Sequence, residues 1–214
     1  MWWIYRMSIY LVILCFATIA GLIHYKKMDK PTRIMVWYVT ITLISESIAT
    51  YAAFVFKNNL PVFHVYNVVQ FLLLSLYFNY SVDKQRIAKG WIIGLSGIIL
   101  SVVNSVYFQH PTKELNTNFV IVESFLIIGM SLFSFYRLLA SDVIYIHLSP
   151  KFWFSAILLV FWSFTFFYWL VGVIIYKSLP NMAFWLDTMI WFINIICYSA
   201  FAAVFLSYNK MKSA

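Results

Sequence analysis

The sequence has few charged residues and almost no cysteine. Only 10% of its 214 residues carry a charge, whereas ordinary soluble domains carry charges on about 25% of theirs. Because a folded soluble domain must cover itself with polar side chains, this scarcity excludes a soluble enzyme, a soluble nucleic-acid-binding domain and a disordered segment. The two cysteines, Cys15 and Cys197, both lie in apolar runs, so a disulfide-stabilised secreted protein is excluded as well.

Long apolar stretches take the place of charge. Hydrophobic residues make up 64% of the chain and aromatic residues 21%. A helix needs about 20 mostly apolar residues to cross a bilayer. Seven stretches qualify, and the connections between them are too short for a soluble domain: 7–25, 34–56, 62–82, 91–109, 118–140, 152–176 and 182–208. The sequence therefore predicts one all-α domain over residues 1–214, an integral membrane bundle of seven transmembrane helices.

Proline recurs in the connections between the predicted spans. The positions are Pro31, Pro61, Pro111, Pro150 and Pro180. Because proline cannot continue a helix from within, we expect these residues to separate the spans from one another.

The basic residues predict an orientation in the membrane. Eleven of the 15 Lys and Arg residues fall in the connections after spans 1, 3 and 5 or at the C-terminus. The other four, Arg6, Lys57, Lys113 and Lys177, fall on the opposite side. Since basic residues concentrate on the cytoplasmic side, we expect the N-terminus outside and the C-terminus in the cytoplasm, in the cytoplasmic membrane of a bacterium. The net charge of +8 then reflects topology and attraction to the lipid bilayer, with no nucleic-acid partner.

Three acidic residues fall inside the predicted spans: Glu46, Glu123 and Asp187. An ionisable group in a bilayer costs several kcal/mol, so each of them is a candidate for function. Two amides of span 3, Asn67 and Gln70, lie at a similar depth. A rise of about 1.5 Å per residue places most of these groups in the outer half of the bundle. The pattern predicts a polar cavity that is open toward the outside.

Helical periodicity gives these polar groups aromatic neighbours. Four residues recur on one face of span 7: Asp187, Trp191, Asn194 and Tyr198. Span 6 carries an aromatic run at the same height, which includes Trp162 and Trp169, and no Lys or Arg is expected at this depth. Carboxylates that face aromatic rings suit a cation or an amine-bearing ligand, through charge and cation–π attraction.

Enzymatic and cofactor chemistry fits the sequence less well. A retinal protein needs a lysine in its last helix for the Schiff base, and span 7 has none. Gly94-Leu95-Ser96-Gly97 resembles the nucleophile motif of rhomboid proteases, but no histidine lies in a later span to act as its base. The four histidines are separate from one another, which disfavours haem and leaves His64 as the candidate metal ligand. We expect no cofactor and assign no catalytic residue.

The sequence thus predicts a receptor-like sensor that takes a small ligand or cation from the outer side. The candidate ligand-binding residues are Glu46, Glu123, Asp187, Asn67, Gln70, Trp191, Trp162 and Trp169. Because the loops are short, signalling would need a separate partner protein. A small transporter that uses the same cavity is the alternative hypothesis, and a membrane-embedded enzyme is the third.

A short internal similarity suggests a repeat. Segments 56–61 and 176–180 each join the outer end of a span to a proline, and an aromatic–polar motif follows each of them, at 66–67 and 185–187. Spans 1–3 and 5–7 would then be parallel repeats around span 4, a 3+1+3 arrangement used by several small transporters.

Overall fold

The computed structural model describes residues 2–81, 90–140 and 146–212, and this part of the chain is helical without any strand. Seven long helices follow one another: α1 (Trp2–Ile23), α2 (Lys30–Val55), α3 (Leu60–Ser81), α4 (Gly90–Tyr107), α5 (Thr117–Leu139), α6 (Pro150–Ser178) and α7 (Pro180–Lys212). All seven are long and apolar enough to cross a membrane. The predicted class, a multi-pass bundle of seven helices, is confirmed.

Four of the helices begin at or beside a proline. Pro150 and Pro180 are the first residues of α6 and α7, and Pro31 and Pro61 are the second residues of α2 and α3. These prolines do mark the boundaries between the spans, and they do so at the starts of the helices. A proline in the first turn is favourable because the N–H that it lacks would have no partner there, and its fixed φ already suits a helix.

Successive helices run in opposite directions, so α1, α3, α5 and α7 all begin at one end of the bundle. Contacts between distant residues establish both ends. Arg6 in α1 donates to the main-chain oxygen of Asp187 in α7 at 2.6 Å, and the N–H of Asp29, which caps α2, donates to the Tyr208 hydroxyl at 2.8 Å. We call the end with Arg6 the N-terminal end and the end with Tyr208 the C-terminal end.

Six helices form a closed ring, and α4 lies outside it. The order around the ring is α1, α2, α3, α5, α6, α7 and back to α1. α4 packs mainly on α3 and makes a smaller contact with α5. Its buried glycines allow this close approach: a Cβ at Gly94 would meet Cδ1 of Leu72 at 2.7 Å, and one at Gly97 would overlap the ring of Phe71. Small residues at such a face let membrane helices pack backbone to backbone.

The C-terminal half of the ring has a solid core. Its large side chains are at most 1% exposed: Leu14, Met35, Tyr77, Phe154, Phe201 and Phe205. The ring centroid of Phe154 lies 6.0 Å from that of Phe201 and 5.4 Å from that of Phe205. Aromatic rings at these separations attract one another and fill space efficiently. This half therefore holds the helices together by packing.

The outward-facing sides of the helices are apolar. In α1, Val12, Phe16, Ile19 and Ile23 follow the helical repeat, and each is more than half exposed. A face of this kind suits lipid, whereas polar residues turn inward. The basic residues Lys84, Arg86 and Lys89, which contribute to the predicted orientation, lie outside the described residues.

Candidate functional site

A cavity of about 470 Å³ lies inside the N-terminal half of the ring. Small-molecule sites usually enclose about 300–1,000 Å³. All six ring helices contribute to its wall, and among the described residues α4 contributes none. The cavity is therefore of the right size for a small molecule and depends on the closure of the whole ring.

The wall contains seven of the eight residues that the sequence predicts as ligand-binding. These are Glu46, Asn67, Gln70, Trp162, Trp169, Asp187 and Trp191. The rest of the span 7 stripe, Asn194 and Tyr198, also lines the cavity. The eighth residue, Glu123, is not among the described residues of the wall. Predicted residues from four separate helices, α2, α3, α6 and α7, thus meet in one place, and their role in binding stays a prediction.

Asp187 is held by two tyrosines of α6. Its Oδ1 accepts hydrogen bonds from the hydroxyl of Tyr168, at 2.9 Å, and from the hydroxyl of Tyr176. The two hydroxyl oxygens are also 2.9 Å apart. Two donors fix the carboxylate at the cavity wall and compensate part of its lost hydration. The sequence predicted Asp187, but within the long aromatic run it gave no sign of which tyrosines face inward.

Arg6 also lines the cavity, which the sequence reading did not anticipate. Predicted span 1 begins at residue 7, whereas α1 begins at Trp2 and carries Arg6 inside its second turn. Besides its bond to Asp187 O, the guanidinium carbon lies 5.2 Å from the ring centroid of Trp191. The indole N–H of Trp191 in turn donates to the main-chain oxygen of Arg6 at 3.0 Å. The expectation that no basic residue lies at this depth was therefore wrong.

Glu46 enters the cavity wall from α2, deeper than Arg6. Tyr10 of α1 lines the same cavity. Tyr10 belongs to a group of buried hydroxyls at the inner end of the cavity, in which Thr42 Oγ1 is 2.8 Å from the Tyr66 hydroxyl. In the same group the hydroxyls of Tyr38 and Tyr198 are 3.4 Å apart. This hydroxyl cluster gives the cavity a polar floor above the apolar core.

Glu123 is buried one helical turn beyond the cavity. Val120 of α5 lines the wall, and Glu123 follows it by three residues on the same face of the helix. Its side chain is 1% exposed, and neither carboxylate oxygen has a hydrogen-bond partner among the described residues. The indole nitrogen of Trp162 is likewise buried without a partner in this part of the chain. Two buried polar groups at or just beyond the inner end of the cavity are therefore left without a partner by the described residues.

The loop between α4 and α5 forms part of the rim. Asn116, at 1% exposed, lines the cavity and donates from Nδ2 to Ser101 Oγ at 3.0 Å. His64 fastens the same loop: Nδ1 is 2.8 Å from Ser105 Oγ, and Nε2 is 2.9 Å from the main-chain oxygen of Glu114. Both ring nitrogens of the candidate metal ligand are thus engaged with protein atoms. Across the described ranges, no three His, Cys, Asp or Glu residues are grouped closely enough to hold a metal ion.

Comparison of the chain with protein-family models, with curated proteins and with solved structures finds no match. The geometry of the cavity is consequently the basis of the functional proposal.

Proposed function

We propose that this chain is a receptor-like membrane protein that binds a small, positively charged ligand in the cavity. The observation that carries the proposal is the meeting of two carboxylates, Glu46 and Asp187, with the tryptophans in one wall. Carboxylates attract an ammonium group directly, and the faces of Trp162 and Trp169 attract it through cation–π interaction. With Arg6 as the one basic residue among the described lining residues, the acidic groups outnumber the basic ones.

The solid core beneath the cavity supports binding rather than passage. Phe154 and Phe205, both fully buried, fill the ring on the C-terminal side of the hydroxyl cluster. A transporter that uses the same cavity would have to open this core in each cycle, because alternating access requires a route to both sides. Ligand binding in a receptor needs only a change in the packing of the helices.

We propose the orientation indicated by the basic residues, with the N-terminal end outside and the cavity accessible from there. Lys26 and Lys27 are exposed at the C-terminal end, as expected for the cytoplasmic face of a bacterial cytoplasmic membrane. Since the connections are short, a separate partner would carry the signal onward. We also keep the parallel 3+1+3 repeat as part of the proposal, in which α4, outside the ring of six, would connect the two halves.

The test measures binding of phenethylamine, tryptamine and choline to the purified protein in nanodiscs. We expect at least one amine to bind, and the Glu46→Gln and Asp187→Asn variants to bind it at least about tenfold more weakly, which corresponds to about 1.4 kcal/mol. Glu114→Gln is the matched control, because this exposed acid lies outside the cavity wall and uses only its main-chain oxygen in the His64 contact.

Two results would contradict the proposal. The first is that none of the three amines binds, and the second is that the cavity variants bind as the Glu114→Gln control does. Uptake of the bound amine into proteoliposomes separates receptor from transporter, and we expect no uptake.

A further inference from the structure

Two of the three charged residues of the cavity are held by neutral partners. Arg6 donates to a main-chain oxygen and stacks near Trp191, whereas the carboxylate of Asp187 accepts from the hydroxyls of Tyr168 and Tyr176. Glu46 is the third charged residue and lines the same cavity from α2. The cavity therefore presents one positive and two negative groups that retain capacity for a charged ligand.

The positive group and the deeper negative group are separated along the bundle axis. Arg6 precedes Tyr10 by four residues in α1, which places it about 6 Å, or one helical turn, nearer the N-terminal end. Trp3 of α1 and Phe54 of α2 lie at the same level, because their ring centroids are 5.4 Å apart. Arg6 lies three residues inward of Trp3 and Glu46 lies eight residues inward of Phe54, so Glu46 lies about 7–8 Å deeper than Arg6. Both residues line the same 470 Å³ cavity. An occupant of this space meets a cation at one end and an anion at the other.

A ligand that is only a cation would leave the guanidinium of Arg6 without a carboxylate. Taking a charge out of water is costly unless an opposite charge compensates it. Guanidinium has five N–H donors in a fork that matches a carboxylate in two parallel bonds, and one Nη is used by the main-chain oxygen of Asp187. The donors for which the described residues provide no acceptor suit a ligand carboxylate, in the same way that Glu46 suits an ammonium group.

We propose that the ligand is a zwitterion of the amino-acid type, whose carboxylate pairs with Arg6 and whose ammonium group reaches Glu46. This inference rests on the proposed function and narrows it from amines in general to molecules that carry both charges. The remaining wall is largely aromatic, with Phe63, Phe161 and Trp162 among its residues. Such a wall accommodates an apolar or aromatic side chain. Asp187 contributes in two ways, because its carboxylate adds negative charge to the cavity wall and its main-chain oxygen orients the guanidinium of Arg6.

The experiment compares three probes that share a phenyl group on a two-carbon chain. They are phenylalanine, phenethylamine, which lacks the carboxylate, and 3-phenylpropionate, which lacks the ammonium group. Two further sets, each with an amino acid, its amine and its acid, carry an indole group or an isobutyl group in place of the phenyl group. Calorimetry on the protein in nanodiscs should give at least a tenfold tighter Kd for the amino acid of one set than for either of its fragments. Arg6→Gln should weaken the amino acid to the level of its amine, and Arg6→Lys should restore part of the difference.

Circular dichroism checks that Arg6→Gln is folded, and the affinity of this variant for the amine should rise, because the substitution removes a positive charge from the cavity. Equal affinity of amine and amino acid, with no effect of Arg6→Gln on either, would overturn the zwitterion and leave the proposed function intact. Binding of the acids alone would overturn both, and so would the failure of every amine and amino acid to bind. Loss of amine binding together with amino-acid binding in Arg6→Gln would also overturn the inference, since Arg6 would then support the cavity as a whole.

Discussion

Gly97 of α4 is a position where a single methyl group tests how α4 packs on the ring. A Cβ at this residue would overlap two carbon atoms of the Phe71 ring in α3. Phe71 has little freedom to move away, because it is 1% exposed and packs edge-on against Phe119 with 6.0 Å between the ring centroids. The substitution Gly97→Ala therefore forces either the ring or the helix to shift.

The size of the effect follows from two opposing contributions. Overpacking a well-filled site typically costs about 1–3 kcal/mol, whereas replacing glycine with alanine inside a helix favours the helix by about 0.8–1.0 kcal/mol. Gly129→Ala in α5 carries the helix contribution alone, because no described atom lies within 4 Å of a Cβ built at Gly129. The helix contribution is common to both variants and cancels in the comparison. We expect Gly97→Ala to be less stable than Gly129→Ala by about 1–3 kcal/mol.

Unfolding in mixed micelles with increasing SDS, followed by tryptophan fluorescence, gives the free energy of unfolding of each variant. Adding Phe71→Leu to Gly97→Ala makes room for the methyl group, so the double variant should lose less stability than the sum of the single changes. Equal stability of Gly97→Ala and Gly129→Ala, within about 0.5 kcal/mol, would refute the reasoning. The placement of α4 against α3 through its glycines would then be wrong.

Two further predictions concern orientation and the buried acid. In a variant without the native cysteines, single cysteines introduced at Asn59 and Thr112 should react with a membrane-impermeant thiol reagent added outside. Single cysteines at Lys27 and Ser149 should not react. The reverse pattern would contradict the proposed orientation. Glu123→Met should raise the midpoint of SDS unfolding, because a buried polar group without partners costs about 1–3 kcal/mol. A lower midpoint would instead mean that a bound water or ion satisfies the carboxylate of Glu123 in the native protein.

Much of the bundle could be predicted because a membrane imposes simple rules on sequence. Span length sets the number of helices, and the high cost of polar groups in lipid marks the residues that turn inward. The stripe on α7 illustrates this: its spacing predicts one face for Asp187 and Tyr198, and both lie in the wall of the same cavity. The ring itself could not be predicted, since hydropathy contains no information about which helix faces contact each other.

Arg6 shows where the same rules mislead. A span that is defined by its apolar residues excludes a charged residue near its end, so predicted span 1 begins just after Arg6. The helix itself begins earlier, at Trp2. A spacing of four residues relates Arg6, Tyr10 and Leu14. This spacing is typical of one helical face, so it could have extended the predicted helix past Arg6 toward the N-terminus. Glu123 shows the opposite difficulty. The position of Glu123 along its span is enough to predict that this residue lies inside the bundle. Its distance from the cavity depends on how α5 packs against the other helices, and the sequence of one helix does not specify that packing.

Closure of the ring between α1 and α7 makes the order of synthesis important. The bond between Arg6 and Asp187 joins residues 181 positions apart, and at about 5–20 residues per second roughly 10–40 s separate the synthesis of the two partners. Until α7 arrives, Arg6, Glu46 and Gln70 belong to an open polar seam that lipid cannot solvate. The nascent helices must therefore be sheltered by water or by the insertion machinery during this interval. A chain that stops before Pro180 is an incomplete ring with that polar seam exposed to lipid. Insertion of α7 covers the seam and makes the bundle compatible with its membrane.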